Sequence, residues 1–274
     1  MMRPFSLRLY LLIVFACSWP FQIAGVFVSQ SLWLRWLLNS TSMCMVSIGT
    51  FIAGRYLFRD GFAATGWSKG KWRDYAAVFG LICLLWIAPA YLIDFLSPYD
   101  VSERWIGWGV LLSVLTFVPG FGEEFGWRGY MLPHLMQQMS TRKAVNLHAV
   151  VWWVWHLPVL VGGAVQGGLA AARQQNSPDH SVAAIMATSL VVLLFGMIPA
   201  AAHAIVIAFI WYRSRSVWVA TTYHALYDGV RDAFTVAGSQ NSLVSLWVSV
   251  LFVALAGVML WKVQWESVNV SANS

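Results

Sequence analysis

Charge is what this chain has least of. Asp, Glu, Lys and Arg make up 10% of its 274 residues, against roughly 25% in a soluble domain. That shortage excludes an ordinary soluble enzyme, a disordered chain and a coiled coil. Cysteine is nearly absent too. Cys17, Cys44 and Cys83 are the three present, an odd number without a CxxC pair, which leaves neither a disulfide framework nor a cysteine zinc site. All three fall in apolar stretches and read as small core residues. They also precede every polar motif described below, so a covalent cysteine mechanism is disfavoured.

Apolar residues fill the space that charge leaves. The chain is 59% hydrophobic with a mean hydropathy of +0.66. A bilayer core needs about 20 apolar residues per helix, and such stretches recur. The expectation is an all-α, polytopic transmembrane bundle of about eight helices, at 9–28, 40–58, 75–96, 105–136, 147–165, 181–212, 216–236 and 243–263. The chain reads as one transmembrane domain, with three variable helices over 1–100, a core over 105–236 and a last helix at 243–263. The first window, Leu9 to Val28, outlasts a signal-peptide core and lacks an A-x-A-like exit, so it reads as a retained span. The fourth and sixth are too long for straight spans, and Pro119-Gly120 and Gly196 with Pro199 predict kinks or breaks there.

The net charge of +6 has a simple source. Lys and Arg gather in alternate connections: Arg3 and Arg8; Arg55, Arg59, Lys69, Lys71 and Arg73; Arg142 and Lys143; Arg213 and Arg215. The intervening connections hold only Arg35, Arg104 and Arg173. The positive-inside rule then places both termini in the cytoplasm and removes any need for a nucleic-acid partner. The tail from Glu266 to Ser274 is polar and reads as frayed.

Ionisable groups inside spans are costly, by at least about 2.5 kcal/mol each on insertion scales, and each asks for an explanation. Glu123, Glu124 and Arg128 lie in the fourth window, His156 in the fifth, and His224 with Asp228 in the seventh; His203 in the sixth is a weaker candidate. At 1.5 Å per residue, Glu123 and Asp228 sit about 18 Å from the inner ends of their helices, His156 about 14 Å and His224 about 12 Å. Three helices thus present polar groups at one depth, which predicts one buried site. Glu124 and Arg128 are i,i+4 and can pair, whereas Glu123 points about 100° away and is free for another partner. A desolvated carboxylate beside a histidine suits a general base. Asp228, i,i+4 from His224, can fix that imidazole's orientation. Each motif alone has a structural alternative: an ion pair between helices, an interfacial histidine, a polar clasp. His134, His148 and His180 read as solvated or interfacial.

Together these residues resemble the CAAX prenyl endopeptidase and bacteriocin-processing family of intramembrane proteases, recognised by EExxxR, FxxxH and HxxxN/D in that order. Here they are Glu123 to Arg128, Trp152 to His156 and His224 to Asp228. Trp152 stands where the family usually has Phe, and Asp228 where many members have Asn. The resemblance implies hydrolysis of a peptide bond in a membrane-associated protein or peptide, by water activated at Glu123 with His156 nearby, while His224 and Asp228 polarise the carbonyl or stabilise the oxyanion. It also implies a multi-pass protein of a bacterial cytoplasmic membrane. Two chemistries stay open. In one, Glu123, His156 and His224 hold Zn2+, which activates the water; in the other, glutamate and histidine move the protons alone. The metal-assisted version is the expectation carried forward, although no HExxH occurs. Competing functions are a proton- or ion-coupled transporter and a catalytically silent immunity or scaffold protein of the same fold. Against the transporter, no inverted repeat or paired broken helices are visible.

Overall fold

The structure is a computed structural model and describes residues 4–28, 31–97, 101–174 and 182–265. Arg3, His180 and the tail from Glu266 lie outside these residues. Nine helices and no strand occur among the described residues: α1 (Leu7–Phe27), α2 (Leu32–Phe58), α3 (Trp72–Leu96), α4 (Arg104–Gln138), α5 (Thr141–Trp155), α6 (Leu157–Gln174), α7 (Val182–Ser214), α8 (Val217–Val236) and α9 (Ser242–Lys262). Three of them contain a π-helical turn, at Ala53–Phe58, Cys83–Ile87 and Trp127–Met131.

The polypeptide is an integral, multi-pass helical bundle. Six helices are long and apolar enough to cross a bilayer, and a seventh crossing results if α5 and α6 form one span. The expected fifth helix is therefore two, bent by 48° between Trp155 and Leu157. Pro158 has no N–H to return to the carbonyl of Val154, so the helical ladder stops at His156 and restarts at an angle. The seventh apolar window, α8, carries Asp228, Arg231 and Asp232. Its most extensive packing is against α4.

Other expectations change in part. No break interrupts the helices at Pro119 or Pro199, since in a packed bundle neighbouring helices can hold a proline-containing segment in place. The cysteines are not core residues: Cys17 and Cys44 are half-buried and Cys83 is exposed. In a bilayer the outside of the bundle is as apolar as its inside, so an apolar setting does not report burial.

Two halves of α4 differ in kind. Its first half turns Ile106, Val110, Val114 and Val118 outward, at a spacing of four that follows the helix repeat. From Gly122 to Pro133 every residue is buried. Glycines permit this close packing: a Cβ at Gly122 would lie 2.6 Å from the Met43 carbonyl oxygen, and one at Gly126 would lie 2.8 Å from Thr50 Oγ1. On the other side Gly229 of α8 meets the backbone of Ser113. Small residues at crossings let membrane helices approach backbone to backbone, so α4 is gripped between α2 and α8. The acidic motif lies in this gripped half.

Candidate active site

Glu123 and Glu124 are both buried, and their carboxylates go to different helices. Glu124 Oε1 accepts from Arg128 Nη1 at 2.9 Å and faces His224 Nδ1 at 2.7 Å. Glu123 Oε2 accepts from Trp152 Nε1 at 3.0 Å. The guanidinium of Arg128 also lies over the Trp152 ring, 5.3 Å from its centroid, a favourable cation–π distance. Glu124 thus sits within an ion-paired cluster, while Glu123 has a single neutral donor.

His224 lies between two carboxylates. Its Nε2 is 3.3 Å from Asp228 Oδ2, and the other oxygen of Asp228 accepts from Arg231 Nη1 at 2.8 Å. Ionised carboxylates only accept hydrogen bonds, so a ring flanked by two of them donates from both nitrogens and is held in one orientation. His156 is held differently. Its Nδ1 is 2.8 Å from the carbonyl oxygen of Trp152. A carbonyl also only accepts, so Nδ1 carries the proton and Nε2 keeps its lone pair. The ring packs edge-on to Trp152 and Trp155, with centroids 4.1 and 4.6 Å away.

Glu123, His156, His224 and Asp228 line one cavity of ≈ 320 Å³. Glu124 and Arg128, each with no exposed surface, stand behind this wall. The six residues singled out by sequence are therefore brought together, four at the cavity and two supporting them. His203 also lines it, stacked on Phe252 at 4.5 Å and beside Tyr227 at 4.3 Å.

Some features carried no sequence signal of their own. The Trp152 indole is a hydrogen-bond donor to Glu123 as well as an aromatic body. Arg231 holds Asp228. Gln22 of α1 and Asn39 of α2 complete the wall from helices that hold no motif. One histidine departs from expectation: His148 is fully buried. His134, partly exposed, is held between Asp60 Oδ2 at 2.9 Å and the Tyr130 carbonyl oxygen at 2.7 Å. The string Gly66-Trp67-Ser68-Lys69-Gly70 has GxSxG spacing. It lies in the α2–α3 connection, where Ser68 Oγ accepts from the Gly70 N–H at 3.1 Å, and no strand-to-helix elbow presents that serine.

The anticipated zinc ligands Glu123, His156 and His224 do not form a ligand set as placed. Both nitrogens of His224 are engaged by carboxylates. Among the described residues no three His, Cys, Asp or Glu side chains converge at metal-binding distance.

Residues 105–230 match a family model described as type II CAAX prenyl endopeptidase, Rce1-like. No curated protein matches the chain. The matched stretch holds all six polar residues of the site and omits α1 to α3 and α9.

Proposed function

We propose, from the match of residues 105–230 to an Rce1-like CAAX prenyl endopeptidase model, that the protein hydrolyses a peptide bond of a membrane-associated protein or peptide within the bilayer. The observation that carries this reading is the single cavity lined by Glu123, His156, His224 and Asp228, enclosed by membrane helices.

Water is the nucleophile. Glu123, with one neutral hydrogen-bond donor, takes a proton as the water oxygen adds to the scissile carbonyl carbon, and His156 Nε2 helps hold that water. His224 Nε2–H, whose contact with Asp228 is the longer of its two at 3.3 Å, turns from that carboxylate to the carbonyl oxygen as it gains negative charge, while Glu124 holds Nδ1 and keeps the ring oriented. The C–N bond then breaks, and the proton held by Glu123 passes to the leaving amine. The sequence of steps needs no metal, and among the described residues no convergent ligand set for one occurs.

Purified wild type and the Glu123→Ala, His156→Ala and His224→Ala variants, reconstituted with membrane proteins extracted from the source cell, provide the test. Only wild type is expected to generate cleavage products, and chelators are expected to leave them unchanged. Equal cleavage by all three variants would remove the site as drawn. Loss of cleavage on chelation with recovery on adding Zn2+ would transfer water activation to a metal.

A further inference from the structure

Two helices outside the matched stretch contribute polar groups to the cavity, and their chemistry is not needed for the hydrolytic steps. Gln22 of α1 lines the wall and is only 2% exposed, yet its Oε1 has no hydrogen-bond partner. Asn39 of α2 lines the same wall, and its Oδ1 is also buried without a partner. Burying an amide oxygen without a donor is costly, so the groups ask for a reason. Structure alone does not supply it. Ser18, another buried polar residue of α1, accepts from Trp155 Nε1 at 2.8 Å and so ties α1 to α5; Gln22 makes no such tie through its oxygen.

Asn39 also borders two adjoining cavities, of ≈ 310 and ≈ 110 Å³. Arg35, one turn before Asn39 on the same helix face, borders both. Arg231 shares the larger one, but Asp228 and Asp232 already neutralise it at 2.8 Å each. Arg35 makes no ion pair among the described residues. A polar path thus leads from Glu123 past Gln22 and Asn39 to an uncompensated cation, at the end of the bundle that holds the α1–α2 and α8–α9 connections.

Resting on the protease reading of this cavity, we propose that Gln22, Asn39 and Arg35 form the substrate-recognition subsite: the two side-chain amides pair with backbone amides of an extended peptide, and Arg35 pairs with a carboxylate on it. A primary amide offers both an acceptor and donors, which complements a peptide group of any sequence. A guanidinium pairs bidentately with a carboxylate. That carboxylate is either the chain end or an acidic side chain.

The test uses the full-length Glu123→Gln protein in detergent, where bound peptide is not turned over. Three fluorescein-labelled apolar hexapeptides serve as probes: a free acid, its C-terminal amide, and an amide with Asp at the penultimate position. Fluorescence anisotropy gives the affinities. Gln22→Met and Asn39→Leu are expected to weaken all three probes about tenfold. Arg35→Gln is expected to erase the preference for a carboxylate over the plain amide. Tight binding of the free acid identifies a chain end, and tight binding of the Asp peptide a side chain. Gln22→Met is also expected to raise the unfolding temperature, because an apolar isostere removes an unsatisfied oxygen; a structural amide would lower it. Unchanged affinities in all three variants, or absence of binding by any probe, would overturn the subsite. Cleavage products made by wild type and lost in Glu123→Ala would then still stand, so the two readings fail separately.

Discussion

Adjacent glutamates of one helix have unlike environments, and substitution separates them. Glu123→Gln keeps shape and can still accept from Trp152 Nε1, so its expected effect is on chemistry alone: a loss of cleavage of about 10²–10⁴-fold, with little change in unfolding temperature. Glu124 and Arg128 form a fully buried pair at 2.9 Å. Removing one partner from such a pair costs about 3–5 kcal/mol, so Arg128→Met is expected to lower both the unfolding temperature and the cleavage rate. Thermal unfolding and cleavage measured on the same purified samples separate the two classes. A stable Arg128→Met protein and an unstable Glu123→Gln protein would exchange their roles. The six charged and imidazole residues were legible in sequence because polar groups are conspicuous against an apolar background. The Trp152 hydrogen bond was not, since an indole in a Trp-rich membrane segment has many ordinary reasons to be there. Gln22 and Asn39 were missed for a similar reason: isolated uncharged amides in apolar stretches have no diagnostic spacing.

At the scale of helices, the bend between α5 and α6 sets where His156 stands. The residue occupies the end of α5, where the helical ladder stops and the chain turns by 48°. Pro158→Ala restores the missing donor and favours a continuous helix. It is expected to reduce cleavage while leaving the protein folded, and electron paramagnetic resonance distances between labels on α5 and α6 should lengthen. An unchanged distance with full activity would remove the bend from the mechanism. The grip on α4 makes a second demand. An alanine methyl at Gly122 would sit 2.6 Å from the Met43 carbonyl oxygen, so α2 or α4 must shift. Gly122→Ala is expected to destabilise by about 1–3 kcal/mol, and to reduce cleavage because Glu123 is the next residue. Thermal unfolding checks the first and product formation the second. Apolar windows located the helices, and the agreement in depth across three helices pointed to their meeting place. The bend and the π-helical turn at Trp127–Met131 were not legible, because a π turn shares the composition of the α-helix around it. The buried state of His148 escaped as well: depth along one helix does not reveal which neighbours cover it.

The whole molecule places its reactive groups inside a bundle and its recognition groups towards one end of it. The positive-inside rule predicts both termini on the cytoplasmic side, and on that reading the Arg35 end faces the opposite side. With the native cysteines replaced, Gln240→Cys is expected to react with a membrane-impermeant maleimide in intact cells, and Arg59→Cys only after permeabilisation; both residues are exposed. The reverse pattern would invert the protein and turn the Arg35 mouth towards the cytoplasm. Scarcity of charge places the chain in a membrane, and the few charges that remain within its helices mark the cavity. The most direct measurement is a mass-spectrometric map of protein termini in membranes from cells making equal amounts of wild type or Glu123→Gln. Termini present only with wild type, and absent again with His156→Ala and His224→Ala, are the expected result. Identical maps for wild type and Glu123→Gln would contradict an intramembrane endopeptidase centred on Glu123.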